Sequence, residues 1–313
     1  MTGTEAGPAA PAPERDRFLR AFEHIQARNL AATCATLRGA EARETPESLL
    51  FLSGFPLPAQ NGAVVYGRPS DLEGLVGRTR SFLRNRAPWS LYLERAVWES
   101  EKGRLSSWGF KLSRSEPLMM WNSPTLPETP LPEGLGLVEA KSPEELASFY
   151  AVMARGSGIS PGFLYRFFRP ESLAAALREG SSRFHAGLLE GRPVATSIST
   201  VDGEDALITS VATLPGFRRR GLGTALTWAA VRSARERGAD RVFLLASKMG
   251  EPVYRKMGFE AVDLTYIVAA PEQPRLLLLR VIPWALAVLT WFALVGHRYR
   301  DWPTTKALPV LPP

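Results

Sequence analysis

The sequence predicts an α/β (α+β) protein built from two consecutive halves. Strand patterns alternate with amphipathic helix patterns along both halves of the 313-residue chain. A proline-rich segment at 123–134 separates the halves, since proline stiffens a chain and removes backbone donors. In the second half, a buried strand pattern leads through a Pro-Gly break and a basic, glycine-containing loop into a helix. The length also favours two domains over one.

The net charge and the cysteine content limit the ligands, cofactors and cellular locations to be expected. The 38 basic and 31 acidic residues leave a formal net charge of +7, which suits an anionic ligand, nucleic acid or an anionic membrane surface. The sequence has no zinc-knuckle, helix-turn-helix or aromatic-basic RNA-binding pattern, so no nucleic-acid partner is expected. Cys34 is the single cysteine, which excludes an intramolecular disulfide and a zinc site of several thiolates. We therefore expect a reducing, cytoplasmic location and no metal cofactor.

The first half begins with residues 1–14, whose Ala, Pro, Gly, Thr and Glu composition has too little apolar content to fold. This segment also lacks the apolar run of a signal peptide. From Arg15, apolar residues up to Leu30 recur at helical spacing. The other elements expected here are an amphipathic stretch at 47–52, a strand at 61–67, a helix capped by Ser70 or Asp71, a strand at 88–93, a helix ending near Trp108 and a strand at 117–121.

The second half starts with a predicted strand at 135–140. Ser142-Pro143-Glu144-Glu145 then has the cap, proline and acidic first turn of a helix, which is expected to end at Met153 or Ala154. A further helix is indicated by the aromatic group at 163–168. The remaining strands are expected at 184–189 and 193–201, joined by a turn at Glu190-Gly191-Arg192, and then at 206–213, 241–247 and 261–268.

The loop between the strand at 206–213 and the following helix has the pattern Arg-x-x-Gly-x-Gly. Arg218, Gly221 and Gly223 occupy its defined positions. Glycine allows close backbone approach, and the free N–H groups and dipole of a helix N-terminus favour an anion. Such a geometry fits a pyrophosphate. The spacing differs from the dinucleotide fingerprint and lacks the Gly-Lys-Ser/Thr ending of a P-loop.

At these residues the sequence resembles the GCN5-related N-acetyltransferase (GNAT) superfamily. A second match is Tyr254 with Gly258-Phe259, which is similar to the family's Tyr-x-x-x-Gly-Phe element, and the resemblance covers 185–268. It implies a mixed, mostly antiparallel central sheet flanked by helices, with a catalytic domain at 135–270. Residues 15–122, including Gly109-Phe110, resemble the degenerate first half of two-lobed members. The alternative for this half is an unrelated α+β domain.

The resemblance implies acetyl-CoA as co-substrate. Backbone groups of the strand before the loop contact the pantetheine arm in the family, and the loop and helix start contact the pyrophosphate. In the family the first helices of the domain line the acceptor site, so the aromatic group at 163–168 is a candidate for substrate contact. The cofactor contacts carried over to this sequence are Val211, Ala212, Thr213, Arg218, Arg219, Arg220, Gly221, Leu222, Gly223, Thr224, Ser247 and Tyr254.

Tyr254 matches the position of the family's usual general acid, because a phenol can give its proton to a departing thiolate. Ser247 departs from the pattern, since many relatives carry Asn seven positions before the Tyr. A general base is not identified. Glu204 and Asp205 lie in a predicted turn, and His185 on an apolar strand is more typical of a structural histidine.

Three functions remain open at this stage. The first is an acetyl-CoA-dependent N-acetyltransferase whose amine acceptor, a small molecule or a peptide, attacks the thioester directly. The second is a non-catalytic acyl-CoA-binding or regulatory protein. The third is a membrane-associated scaffold that keeps only the fold.

The C-terminal tail, residues 271–313, contains the most apolar stretch of the chain at 276–296. Its length is close to the roughly 20 residues needed to span a bilayer, with Arg280 near one end. Two interpretations follow: a membrane anchor, or a helix packed on the protein.

Overall fold

The computed structural model describes residues 12–159 and 169–271. The elements of the first half are α1 (Ala12–Thr36), β1 (Glu41–Thr45), β2 (Ser48–Leu52), β3 (Asn61–Val65), α2 (Leu72–Leu83), β4 (Ser90–Glu94), α3 (Arg95–Ser107) and β5 (Lys111–Trp121). Those of the second half are β6 (Leu135–Glu139), α4 (Pro143–Gly156), α5 (Pro170–Glu179), β7 (Ser182–Leu189), β8 (Arg192–Asp202), β9 (Asp205–Thr213), α6 (Leu222–Glu236), β10 (Arg241–Leu245), α7 (Glu251–Lys256) and β11 (Glu260–Ala269).

One continuous sheet of eleven strands runs through both halves, in the order β1-β2-β3-β4-β11-β5-β10-β9-β8-β7-β6. The pairs β3–β4 and β9–β10 are parallel, and the other eight neighbours are antiparallel. Helices cover both faces. The predicted fold class, a mixed and mostly antiparallel sheet flanked by helices, is confirmed.

The two halves repeat the same order of elements and exchange their last strands. The order β1-β2-β3-α2-β4-α3-β5 recurs as β7-β8-β9-α6-β10-α7-β11. β5 pairs with β10 of the second half, and β11 pairs with β4 of the first half. Because β5 and β11 also pair with each other, the two strands join the halves into one sheet.

Helices pack on both faces of the sheet. On one face, α6 and α7 pack on Met119, Ile208 and Leu244, and α2 and α3 pack on the strands of the first half. On the other face, Phe18 and Phe22 of α1 pack on Met120 and Phe243, beside α4 and α5. The most deeply buried side chains of both halves come from these layers.

Local sequence signals account for some of the helix ends. Ser142 and Glu145 form the expected capping box of α4, and Asp71 caps α2 by accepting from Gly74 N–H at 2.9 Å. Helix α1 begins at Ala12, three residues earlier than predicted, because Pro13 is tolerated in a first helical turn. The stretch at 47–52 forms the second strand of a hairpin, with β2 buried throughout. β5 begins at Lys111, six residues before the predicted strand.

Among residues 12–159 and 169–271, no helix is both long and apolar enough to cross a membrane. The apolar stretch at 276–296 and the aromatic group at 163–168 lie outside the described residues.

Candidate functional site

The strands β9 and β10 separate towards their carboxyl ends and leave a slot in the sheet. Their parallel pairing ends at Ile208 and Leu244. β9 continues to Thr213, whereas β10 stops at Leu245. The β10-facing edge of residues 209–213 therefore has no strand beside it in the described part of the chain. A slot at the carboxyl ends of parallel strands is a common position for ligands in α/β proteins.

A β-bulge bends β9 where the slot begins. The register with β8 shifts between Thr196 and Ile198, and Ser210 takes a positive φ of 53°. Thr196 holds this conformation because its hydroxyl donates to the Ser210 carbonyl at 3.0 Å. After the bulge, the backbone of Val211, Ala212 and Thr213 forms one wall of the slot. These three residues are predicted cofactor contacts.

The basic loop is braced by Arg218. Its Nε donates to the carbonyl of Thr213 at 3.2 Å, and its Nη2 donates to the carbonyl of Gly156 at 2.8 Å. Gly156, at the end of α4, lies so close to β9 that a Cβ there would be 3.0 Å from that of Ala212. Arg218, predicted as a cofactor contact, thus ties together the loop, the end of β9 and the end of α4.

The N-terminus of α6 is exposed at the mouth of the slot and has no side-chain cap. Gly221 is the N-cap with φ of 76°, and the first helical bond runs from Ala225 N–H to its carbonyl. The N–H groups before Ala225 are therefore available to an anion. Arg219 and Arg220 are exposed beside them, and Leu222 is buried beneath. This arrangement brings the predicted pyrophosphate contacts together.

Tyr254, the predicted general acid, lies on α7 and is 8% exposed. Burial raises the pKa of its phenol to about 12, and a hydrogen bond with Thr227 acts in the opposite direction. Thr227, on α6, also donates to the Gly223 carbonyl at 2.8 Å. One buried threonine therefore connects the helix N-terminus with the phenol, which stays protonated at neutral pH. No pattern in the sequence identifies Thr227 as a residue of the site.

Ser247 lies at the turn between β10 and α7. Its hydroxyl oxygen accepts from Gly250 N–H at 3.1 Å, and its carbonyl accepts from Glu251 N–H at 2.9 Å. Ser247 is exposed and keeps its O–H to donate to a ligand. It therefore fixes the start of the helix that carries Tyr254.

Gly250 leaves the space that the ring of Tyr254 occupies. A Cβ at Gly250 would be 2.7 Å from Tyr254 Cε2, closer than real contacts allow. We expect Gly250→Ala to displace the ring and to lower turnover about 10- to 100-fold, the range that a misplacement of about 1 Å costs. Thiol release from acetyl-CoA in the presence of an amine measures this.

Gly77→Ala on α2 is the matched control, because a Cβ there meets nothing within 4 Å. It should leave turnover unchanged. Equal turnover in the Gly250 and Gly77 variants would show that the position of the Tyr254 ring does not matter.

The carboxylates and the histidine considered as bases lie far from the slot. Glu204 and Asp205 bind Arg241 at the other end of β9, with Asp205 Oδ1 2.6 Å from Arg241 Nε. His185 is buried and within 3.2 Å of the Ser199 hydroxyl. Burial, helped by nearby arginines, lowers its pKa to about 4, so it is neutral at physiological pH. These groups stabilise the fold.

The first half contains the same strand-loop-helix element, but its own carboxylates occupy the loop. Both carboxylate oxygens of Glu23, on α1, accept from Gly67 N–H at 3.0 Å. Glu47 accepts from Ser70 N–H at 2.8 Å, and Asp71 takes the N-cap position that Gly221 has in the second half. A phosphate would meet the carboxylates of Glu47 and Asp71 there, and the N–H donors of Gly67 and Ser70 are already occupied. This gives a physical reason to expect no acetyl-CoA in the first half.

Glu23 makes stability depend on pH. Burial raises its pKa to about 8, above the ordinary value of about 4.5 for an unfolded chain. The folded state therefore binds the Glu23 proton more tightly than the unfolded chain does. The stability gained in this way is complete below about pH 4.5 and is lost as the pH rises through about 8. We expect the free energy of unfolding of Glu23→Gln to fall less than that of the wild type between pH 5 and 8.5. Urea unfolding at both pH values measures the difference, and parallel losses in the two proteins would contradict it.

Comparisons with known proteins give one family match and several solved structures with the same fold. Residues 154–259 match the family model described as the acetyltransferase (GNAT) family. No curated protein is similar enough in sequence to match the chain. A GCN5-related N-acetyltransferase from Kribbella flavida superposes with a TM-score of 0.60 at 20% identity, over 81% of this chain and 96% of that one.

Two further solved structures share the fold. A GCN5-related N-acetyltransferase from Sphaerobacter thermophilus has a TM-score of 0.53 and 16% identity, over 83% of this chain and 93% of that one. A tandem GNAT protein from the clavulanic acid biosynthesis pathway has a TM-score of 0.51 and 15% identity, over 85% of this chain and 98% of that one. At these identities the likeness concerns the fold.

Proposed function

We propose that this chain is an acetyl-CoA-dependent N-acetyltransferase of the GNAT type, because residues 154–259 match the GNAT family model and the chain shares the fold of solved GNAT structures. Residues 135–270 are its catalytic lobe, and residues 15–122 form a supporting lobe without cofactor. The acceptor amine attacks the thioester directly. A cytoplasmic location and membrane attachment through 276–296 stay predictions.

One observation carries the proposal: an uncapped helix N-terminus with Gly221 in the left-handed conformation opens onto a slot between two diverging parallel strands. The N–H groups of the first turn of α6, with Arg219 and Arg220, would hold the pyrophosphate. The backbone of residues 211–213 would hold the pantetheine arm. The donors, the positive charge and the open slot fit this ligand, whereas the equivalent loop of the first half does not.

Acetyl-CoA supplies an activated thioester when bound. The protein then has to orient it, exclude water and provide a proton to the leaving sulfur. Tyr254 is the proposed proton donor, because its phenol is protonated at neutral pH and lies on the helix after β10. The group that takes the amine proton is not assigned, and water or a second molecule of the substrate amine can serve.

The alternative is a non-catalytic acyl-CoA-binding protein. One observation favours it: the phenol of Tyr254 is buried, with only 8% of the residue exposed. Thioester consumption in the presence of amines separates the two functions, since a binding protein would leave acetyl-CoA intact.

The first experiment is a calorimetric titration of acetyl-CoA into the full chain. We expect binding with a single site per chain, followed by amine-dependent thiol release in a panel of small amines and peptides. Binding without thiol release from any member of the panel would support the non-catalytic alternative. Absence of binding would contradict both.

A further inference from the structure

The slot between β9 and β5 has the width of one missing strand. Up to Leu244, β10 lies between them and pairs with both. Beyond the end of β10 the two walls stand two strand spacings apart, about 10 Å, which is room for one extended chain. The pantetheine arm proposed along residues 211–213 fills this gap. An acceptor therefore has to reach the thioester from a face of the sheet.

The two faces of the sheet differ at the slot. α6, whose N-terminus is the proposed pyrophosphate site, and α7, which carries Tyr254, pack on one face, which we call the α6 face. α1 packs on the opposite face, the α1 face, against Leu118, Met120 and Phe243. Because the cofactor and Tyr254 take the α6 face, the acceptor has to arrive from the α1 face.

The side chain of Glu116, on β5, points to the α1 face. Leu118 and Met120 pack against α1, whereas Met119 packs against α6. Side chains alternate along a strand, and the pairing of β5 with β11 is regular from Glu116 to Leu118, so these two residues share a face. Tyr92 supports this placement. It packs against α1, burial raises the pKa of its phenol, and the negative charge of Glu116 adds to that rise.

Glu116 also lies level with the reacting end of the proposed cofactor. Leu244 is the last residue of β10 that pairs with both neighbours. Three residues beyond its partners, β5 reaches Glu116 and β9 reaches Val211. Since the pyrophosphate is proposed beyond Thr213, the thioester end of the arm lies at the Val211 end of this wall. Glu116 therefore stands across the slot from the thioester.

The carboxylate of Glu116 is accessible and has one oxygen to spare. Of its side chain 21% is exposed, and Arg114 Nε lies 2.8 Å from Oε1. Within residues 12–159 and 169–271, Oε2 has no ion pair or hydrogen bond. A carboxylate accepts through both oxygens, so Oε2 can accept from an ammonium group while Arg114 holds the side chain in place.

We propose that Glu116 binds the ammonium group of the acceptor at the α1 face of the slot and takes its proton. This inference rests on the proposed acetyl transfer, and it names the acceptor as an amine that is protonated in solution. The first half of the protein thereby supplies the base for the second.

The acid and the base then act from opposite faces of the slot. One proton of the ammonium group passes to Glu116, and the freed lone pair of the nitrogen forms the bond to the thioester carbon. The carbon–sulfur bond breaks with its electron pair on sulfur, which takes the proton of Tyr254. A second proton of the nitrogen returns to the Tyr254 oxygen through water, and Glu116 releases its proton to solvent. The products are an amide and the free thiol.

The test compares Glu116→Gln with Glu139→Gln in the full chain. Gln keeps the size of the side chain and removes its charge and basicity. Glu139 is the matched control, because it lies on the edge strand β6, pairs with Arg183 at 3.3 Å and has 29% of its side chain exposed. The probes are acetyl-CoA and the primary amine of the panel that is acetylated fastest. We expect kcat/KM at pH 7 to fall about 100-fold in Glu116→Gln, as for a lost general base, and to stay unchanged in Glu139→Gln.

The pH dependence separates a base from a structural residue. As the pH rises, more of the amine is already uncharged, so the difference between Glu116→Gln and the wild type should narrow to less than about tenfold at pH 9.5. A ratio that stays constant with pH, equal rates in Glu116→Gln and the wild type, or an equal loss in Glu139→Gln would contradict the inference.

Calorimetry of acetyl-CoA controls for folding, because Glu116→Gln should bind it as the wild type does. If that variant loses binding, Glu116→Asp replaces it: the carboxylate is kept but withdrawn by one methylene, and kcat/KM should fall about tenfold, within the cost of a misplacement of about 1 Å. Wild-type rates in Glu116→Asp would then contradict the inference. Wild-type protein that binds acetyl-CoA but acetylates no amine would contradict both proposals, and failure of the wild type to bind acetyl-CoA would contradict the proposed function itself.

Discussion

Tyr254→Phe is expected to lower turnover at least about 100-fold, while the Kd for acetyl-CoA changes less than twofold. The variant removes the one proton that the phenol could give to the leaving sulfur, and a positioned general acid contributes typically about 10² to 10⁴ in rate. The ring and its packing against Phe259 remain, because only the oxygen is lost. Steady-state thiol release with the best acceptor measures turnover, and calorimetry measures affinity.

The control for this variant is Tyr266→Phe. Tyr266 is also buried, at 9% exposure, but it stacks on Trp98 in the first half, away from the slot. The Tyr266→Phe variant should leave turnover unchanged. The pH profile adds a check: since the pKa of Tyr254 is about 12, its deprotonation should cause no loss of kcat below about pH 10. Equal turnover of Tyr254→Phe and wild type would remove the phenol from the mechanism.

Local patterns were enough to predict the elements around the cofactor loop. The strand before it, the Pro-Gly break and α6 all have signals within a few residues, and the capping box at Ser142 does too. The exchange of β5 and β11 had no such signal, because strand partners far apart in sequence leave no local trace. The domain boundaries stay predictions.

The missed features are those in which polar residues have structural roles. Residues 111–116 were assigned to no element, because an exposed strand edge shows no apolar alternation. The role of Glu23 at the loop of the first half was not predicted, because helical periodicity identifies only the apolar positions of α1. Thr227 and Gly250 matter through contacts with Tyr254 that only the packed helices create.

Gly221→Glu is expected to weaken acetyl-CoA binding at least about 100-fold. The new carboxylate would lie at the N-terminus of α6, where the pyrophosphate is proposed to bind, and like charges placed together in an interface cost several kcal/mol. A loss of about 2.8 kcal/mol already corresponds to 100-fold. Calorimetric titration of the folded variant measures the affinity directly.

Backbone strain needs its own control, because Gly221 has a φ of 76° that costs any other residue about 1–2 kcal/mol. Gly203→Glu has the same strain and the same charge: Gly203 has a φ of 57°, lies in the turn between β8 and β9, and has open space around it. It sits at the opposite end of β9 from the slot, so its effect on affinity reports strain and general charge alone. We expect Gly203→Glu to bind acetyl-CoA as the wild type does. Equal affinity in both glutamate variants would mean that the loop at Gly221 is an ordinary turn and that the cofactor, if it binds, does so elsewhere.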